Sequence, residues 1–413
     1  MNVKQFPVII IGAGPAGCVC SLFLSDFKIP HLIIEKGSFP RDKICGDAVS
    51  GKMLEIIAKL HPEAVKKFAA DQEKAVLSYG MEFKAPNGQT VGIPFPKPKG
   101  DLPIGFVSKR MDFDYFLYQL TDSEYATRWE NASLEEIHRE GKVVNLMINK
   151  NQETIELSGQ MIIAADGSRS IAKKKLLGDE VDEKHYCAGI RAYYKGVKDL
   201  HPQNFIELHF YKELLPGYFW IFPLPNGYAN VGMGMLSKKV SEKKINLRKE
   251  MLHLIETHPA LKDRFKDAVL DGKINGWGLP LGSKKRPLSG EQIILTGDAA
   301  SLIDPFTGEG IGNAGVSGMV AARIAKSAIE NQNFSADFLK QYDQIIYDKL
   351  WNELQLSYRI QRLSSIPWLF NFVVNKITNN KQLREIFTNM FIDLDLRAKL
   401  KSPMFYFKLL FNR

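Results

Sequence analysis

Four apolar residues, Val8-Ile9-Ile10-Ile11, run straight into Gly12-Ala13-Gly14-Pro15-Ala16-Gly17 and then into an apolar stretch through Leu24. No other feature constrains the chain as much. A buried strand, a G-x-G-x-x-G turn and a helix make a βαβ entry. Gly12 permits the tight turn, Gly14 lets backbone approach a pyrophosphate, and Gly17 lets the helix pack close to the strand. The helix start offers unpaired N–H groups and a partial positive charge to phosphates. Leu32-Ile33-Ile34 supplies the next strand, and Glu35 stands about 20 residues on, where a carboxylate accepts hydrogen bonds from a ribose diol. The pattern predicts a dinucleotide site and leaves FAD and NAD both open.

Two further strand signals end on turn residues: Met161-Ile162-Ile163-Ala164-Ala165 at Asp166-Gly167, and Ile293-Ile294-Leu295-Thr296 at Gly297-Asp298. Between them, aromatic-rich stretches such as Phe205 to Tyr211 and Tyr218 to Phe222 suit a mostly antiparallel sheet. The fold class expected is α/β: a Rossmann-like dinucleotide-binding domain, an inserted mostly antiparallel substrate domain and a C-terminal helical region. The boundaries expected are 1–75, 103–176 and 277–330 for the nucleotide domain, 76–102 and 177–276 for the insert, and 331–413 for the helical region. The proline-rich segment with Pro94, Pro96, Pro98 and Pro103 marks a crossing between domains.

Composition narrows the function. A chain of 413 residues exceeds one ordinary core. Cys18, Cys20, Cys45 and Cys187 have neither a disulfide-framework nor a zinc spacing, so a reducing compartment and no metal are expected. The N-terminus lacks the pattern of a signal peptide, and no apolar run reaches the roughly 18 to 20 residues of a membrane span. A cytoplasmic protein follows as the expectation. The +9 net charge favours anionic partners, but no nucleic-acid motif accompanies it.

Taken together, the fingerprint, Asp166-Gly167-Ser168-Arg169-Ser170 and Thr296-Gly297-Asp298-Ala299-Ala300 resemble the three signature motifs of the p-hydroxybenzoate hydroxylase-like flavoproteins. That resemblance implies FAD, with Gly12, Gly14, Ala16, Gly17, Glu35 and Lys36 holding it at the first motif. It also implies Asp166 and Gly167 bracing the pyrophosphate region, Gly297 and Asp298 at the ribityl chain, and Arg110 from Val107-Ser108-Lys109-Arg110-Met111-Asp112. The glycine-rich loop Asp304 to Asn313 lets backbone lie against a flat ring, which adds Gly310, Ile311 and Gly312. A helix starting there would favour negative charge on the pyrimidine side of reduced flavin. Gly232-Met233-Gly234 lacks a third glycine, so no second Rossmann domain is expected. The electron donor, NAD(P)H or another reductant, must dock transiently.

Pro40-Arg41-Asp42-Lys43-Ile44-Cys45-Gly46-Asp47 resembles the P-x-x-K-x-C-G segment of the geranylgeranyl reductase family. Tyr218-Phe219-Trp220-Ile221-Phe222-Pro223, followed after eight residues by Gly232-Met233-Gly234, is similar to that family's Y-x-W-x-F-P-x(7 or 8)-G-x-G pattern. The resemblance covers the chain to about residue 330. It implies reduction of isoprenoid double bonds, with Gly46 and Asp47 near the flavin and Tyr218, Trp220, Phe222, Pro223, Gly232 and Gly234 at a prenyl-chain pocket. Alternation independently puts Tyr218, Trp220 and Phe222 on one strand face, as pocket wall or as sheet core.

An isolated alkene has no carbonyl to polarise, so hydride from flavin must be matched by a proton on the other carbon, delivered in a dry site. Cys45 is the catalytic candidate, against the alternative of a structural cysteine. A rival reading is a flavin hydroxylase or halogenase, although Tyr218 and Phe222 depart from the W-x-W-x-I-P motif of halogenases. Another is a non-catalytic prenyl-lipid carrier with structural FAD. Residues 396–413 carry Arg397, Lys399, Lys401, Lys408 and Arg413 among Phe405, Tyr406, Phe407 and Phe411. They suit either peripheral contact with an anionic bilayer or a cap on the protein's own core, with Pro403 interrupting any single helix. The oligomeric state is not readable.

Overall fold

The computed structural model describes residues 4–95, 100–178 and 181–380. Its central sheet has eight strands. Five run parallel in the spatial order Ile293–Leu295, Glu153–Ala164, Lys4–Ile11, His31–Ile34 and Ala126–Trp129. Their apolar runs are continuous because helices and loops cover both faces: Val8, Ile9, Ile10, Leu32, Ile33 and Ile293 are all fully buried. Antiparallel strands Val143–Lys150 and Ala132–Glu140 extend the sheet from Glu153–Ala164.

Helices Pro15–Asp26 and Ile311–Glu330 cross on one face of this sheet. The crossing is close enough that a Cβ on Gly318 would meet the Ala16 carbonyl oxygen at 2.3 Å. Small residues at that crossing let the two helix starts converge above the strand ends.

A second, seven-stranded sheet takes strands from 80–94 and 186–280, in the order Val269–Pro280, Tyr186–Lys195, Tyr228–Leu236, Tyr218–Pro223, Ile206–His209, Gly80–Lys84 and Thr90–Pro94. All neighbours are antiparallel except Ile206–His209 and Gly80–Lys84. Alternation divides its side chains. Phe219 and Ile221 pack into a core with Leu254 and Phe265, while Trp220 and Phe222 pack on the other face with Leu208 and Phe306. On strand Ile206–His209 the polar residues Glu207 and His209 lie on the side of Arg264, whose guanidinium makes two 2.7 Å bonds to the Glu207 carboxylate. Ile206 and Leu208 are thereby left to the face that carries Trp220 and Phe222.

A small third sheet, Ala48–Ser50, Gly105–Val107 and Val76–Leu77, lies where the chain passes between the two large ones. Helix Ala336–Ser364 starts at a Ser335 cap and is tied to the parallel sheet by the Tyr342 hydroxyl, which donates to the Leu295 carbonyl at 2.7 Å. Helix Pro367–Asn379 follows. Residues 396–413 lie outside the described residues. Among the described residues no helix is long and apolar enough to cross a membrane, and no group of His, Cys, Asp and Glu could hold a metal ion.

Candidate functional site

The two sheets and helix Ala336–Ser364 enclose one cavity of about 2050 Å³. A pocket for one small ligand is roughly 300 to 1,000 Å³. The space therefore suits a large ligand together with a second one. Its polar end is built by the carboxyl ends of the parallel strands, and its apolar end by the second sheet.

At the polar end each glycine of the fingerprint has a separate task. Gly12 sits at φ 100°, and a Cβ there would meet the Ala165 carbonyl oxygen at 2.5 Å. On Gly17 a Cβ would meet the Gly12 carbonyl oxygen at 1.9 Å, whereas on Gly14 it would meet nothing within 4 Å. The first two keep the turn closed, and the third leaves a bare backbone wall facing open space. The helix start behind it has no side-chain cap and no acidic residue in its first turn. Such a cradle suits a pyrophosphate. Glu35 accepts the Ala13 N–H at 3.1 Å and an Arg41 bond at 2.9 Å. Arg41 also reaches Asp114 at 2.9 Å, and Asp114 makes a two-bond pair with Arg110 at 2.6 and 2.7 Å. This chain of buried charges holds Glu35 and Arg110 against the cavity. The buried Nε of Arg41 remains without a partner.

Lys36, Ala16, Gly167, Gly297, Asp298, Gly310 and Ile311 also line the cavity, while Gly17 and Gly312 do not. Asp166 lines it as well, with Oδ2 accepting the Ile171 N–H at 2.8 Å and the buried Oδ1 unpartnered. In the loop after residue 303, Asp304 Oδ1 gathers the N–H groups of Phe306 and Thr307, which shapes the turn. The helix start at Ile311 differs from the expectation of an open anion cradle. The carboxyl of Glu309 accepts the Gly312 N–H and the Ser50 hydroxyl, so a group of the chain's own already occupies it. Burial raises the pKa of Glu309 and Lys52 opposes the rise.

At the apolar end Tyr218, Trp220 and Phe222 face the cavity beside Met81, Ile206 and Leu208. Pro223, Gly232 and Gly234 do not. Gly232 instead makes room behind the wall: a Cβ there would meet the Trp220 ring at 2.2 Å. Gly46 lies against Phe222, where a Cβ would meet the ring at 2.9 Å. Trp220 Nε1 donates to Asn230 Oδ1 and Asn230 Nδ2 donates to the Cys45 carbonyl, both at 2.8 Å. The two sequence motifs, some way apart along the chain, are thus in direct contact.

Cys45 lines this junction. Burial pushes its thiol pKa up, and the Arg110 guanidinium pulls against that rise. Two residues on, Asp47 is fully buried at φ 68°. Its Oδ2 accepts the Tyr193 hydroxyl at 2.8 Å, and burial, opposed by Arg191, pushes the carboxyl up to about 7. Arg191 makes bonds of 2.9 and 2.7 Å to Asp42. Sequence reasoning missed Arg41, Asp114, Arg191, Tyr193 and Asn230. Asn230 carried a signal, a lone amide in the apolar run Ala229 to Met235. The partners of the two arginines are set by tertiary contacts and carried none.

The model of the geranylgeranyl reductase catalytic domain matches residues 187–271. The digeranylgeranylglycerophospholipid reductase of Thermoplasma volcanium is 31% identical over 353 residues, covering 84% of each chain. A menaquinone reductase of Mycobacterium tuberculosis is 26% identical over 365 residues, covering 87% of this chain and 84% of its own. Among solved structures, a geranylgeranyl bacteriochlorophyll reductase-like protein of Thermoplasma acidophilum superposes with a TM-score of 0.80 at 22% identity, over 97% of this chain and 99% of its own. A flavin-dependent brominase superposes at 0.78 with 20% identity, over 98% and 99%. At those identities the two structures show the fold alone.

Asp47 carries a stability cost whose sign is fixed by its shift. The folded state holds the proton up to about pH 7, whereas the ordinary value is 3.8. The contribution is therefore full at low pH and is lost as pH rises through the folded value, by at most about 4 kcal/mol. Asn accepts the same hydrogen bond without titrating. We expect wild type to lose unfolding free energy relative to Asp47→Asn between about pH 4 and 7, and to run parallel to it above that. Urea denaturation at a series of pH values measures this, and parallel curves throughout would refute a neutral Asp47.

Proposed function

The chain belongs to the geranylgeranyl reductase family of FAD-dependent oxidoreductases, and from that premise we propose that it saturates carbon–carbon double bonds in the isoprenoid chain of a lipid at the junction of Cys45 and the aromatic wall. The molecules in the two relatives' names, a digeranylgeranylglycerophospholipid and menaquinone, share a long polyprenyl chain. The apolar wall of Trp220, Phe222, Ile206 and Leu208 suits that shared part. Which lipid head group the protein accepts is left to the polar groups around it.

The residues present fit FAD. Gly12, Gly14 and the start of helix Pro15–Asp26 would hold the pyrophosphate, Glu35 a ribose, Asp298 the ribityl chain, and Gly310 and Ile311 the flavin ring. Bound and reduced, FAD supplies hydride. The chain's own residues do the rest. Tyr218, Trp220 and Phe222 exclude water and align the alkene. Cys45 holds a proton on Sγ, since its raised pKa keeps the thiol neutral, and releases it to the second alkene carbon. Arg110 and the Asn230 bond to the Cys45 carbonyl fix where that thiol stands. The observation that carries the reading is the contact of Gly46 with Phe222, joined to the Trp220–Asn230–Cys45 bonds. It gives proton donor and chain pocket a common wall.

Contact with a lipid surface is part of the proposal, through residues 396–413. Vesicle co-sedimentation tests it. The full chain should bind anionic vesicles in a salt-sensitive way, and a folded chain ending at residue 395 should bind them less; an intact protein that ignores vesicles rules the contact out.

Two variants test the cofactor site. Gly14→Val adds bulk only to open space, so it should fold normally and yet lose the flavin absorbance, and Asp298→Ala should lose it too. Normal flavin content in both would sink the assignment.

Under anaerobic turnover with a chemical reductant, mass spectrometry of an extracted isoprenoid lipid should show a gain of two hydrogens per alkene. Cys45→Ala should retain FAD and lose on the order of a hundredfold in rate, the usual size of a general-acid contribution, with Cys45→Ser retaining a little. Equal rates in all three would return Cys45 to a structural role, and an oxygen-dependent gain of an oxygen atom would mean a hydroxylase.

A further inference from the structure

We propose that Asp47 is a positioning residue for protons, recharging Cys45 after each reduction and drawing on solvent through Tyr193. The proposal rests on the reductase reading above. Three observations support it. Asp47 lines the cavity two residues from Cys45, and a negative charge on Asp47 pushes the Cys45 thiol further up. One carboxyl oxygen is held by the Tyr193 hydroxyl at 2.8 Å. The other is buried and has no hydrogen bond of regular geometry; the Asn230 amide beside it gives one N–H to the Cys45 carbonyl and helps hold the Asp47 pKa down with the other. A buried carboxylate oxygen without a regular partner is far costlier than a neutral one, so the surroundings suit an acid that keeps its proton until a neighbouring anion draws it off.

The proton count balances. The alkene gains a hydride at one carbon and, as the Cys45 S–H bond breaks, a proton at the other. The Cys45 thiolate takes the proton from the Asp47 O–H. The Asp47 carboxylate takes one on Oδ2 from the Tyr193 hydroxyl while Tyr193 takes one from solvent, whose buffer supplies the net proton consumed; a turn of the neutral carboxyl then brings the O–H back toward Cys45, and Tyr193 stays neutral throughout. Asp47 and Cys45 are coupled, because a negative charge on Asp47 opposes formation of the thiolate. The other charged groups around the pair hold it in place. Arg191 faces Asp47 from strand Tyr186–Lys195 and is neutralised by Asp42; Arg110 faces Cys45 from helix Arg110–Leu120 and is paired with Asp114; Lys43, whose pKa burial lowers, also faces Cys45 from the same turn. Lys109 stands 5.0 Å from the Tyr193 ring centre and Arg191 4.1 Å.

The test uses FAD-loaded wild type, Asp47→Asn and Tyr193→Phe. Asn is at home at positive φ, so the first variant should fold and keep its flavin. Infrared difference spectra of the oxidised enzymes, without substrate, are recorded from about pH 5 to about 9. Wild type should show a carboxylic-acid band that titrates near 7 and a cysteine S–H band that shifts with it; Asp47→Asn should lack both the titration and the shift. Tyr193→Phe should move the titration to higher pH, because the hydroxyl favours the ionised acid. In anaerobic turnover of an isoprenoid alkene, wild-type rate should fall as pH rises through the same midpoint. Asp47→Asn should be slower by about tenfold or more and show no such step. An Asp47 ionised over the whole range, an S–H band indifferent to it, or equal pH profiles in wild type and Asp47→Asn would each overturn the relay. Failure of wild type to reduce any isoprenoid alkene would instead overturn the reductase reading, and the infrared arm decides the Asp47–Cys45 coupling without substrate.

Discussion

The site depends on a single buried amide. Asn230 is fully buried in a strand of apolar neighbours, where an unsatisfied amide would cost roughly 1 to 3 kcal/mol per lost partner. It satisfies itself in two directions, accepting from the Trp220 indole and donating to the Cys45 carbonyl. One bond lies within the second sheet and the other reaches the segment leaving the parallel sheet. The amide therefore fixes the distance between the aromatic wall and the cysteine turn, and Gly46 against Phe222 closes the same seam by shape. A cavity between two sheets would otherwise be free to open.

Charge is handled by the same economy. Glu35, Arg41, Asp114 and Arg110 form a continuous chain of short bonds, and Arg191 closes on Asp42. Buried ions are costly unless paired with good geometry, and removing one partner strands the other. The network spends little on net stability and much on orientation. It sets Glu35 against the fingerprint turn and Arg110 beside Cys45.

The parallel half of the fold was legible because its signals are local. A continuous apolar run, a turn that only glycine fits and a helix without an N-terminal acid can be read within 30 residues. Alternation likewise placed Trp220 and Phe222 opposite Phe219 and Ile221, as the two separate cores show. What stayed hidden was set at long range. Gly232 and Gly234 read as pocket residues from the pattern, yet Gly232 is the seat of the Trp220 ring. Nothing in the sequence marks Glu309 within its loop, and only the folded turn brings its carboxyl to the start of its own helix. Helix Ala336–Ser364 contributes Glu353 and Ile360 to the cavity from beyond the reach of any motif.

One physical cause links the substrate pocket to the proton supply. A wall that accepts a long hydrocarbon must shed water, and shedding water pushes an enclosed acid toward its neutral form. Cys45, Asp47, Tyr193, Tyr218, Asp304 and Glu309 all shift in that direction, with burial as the largest cause in each. An alkene with no polar handle needs a proton that is present before the substrate arrives and cannot be drawn from bulk water at the moment of reaction. The dryness that admits the chain is thus the condition that keeps acids protonated beside it. The charges of Arg110 and Arg191 then decide which of those protons can leave, since each cation lowers the cost of the anion left behind on Cys45 or Asp47.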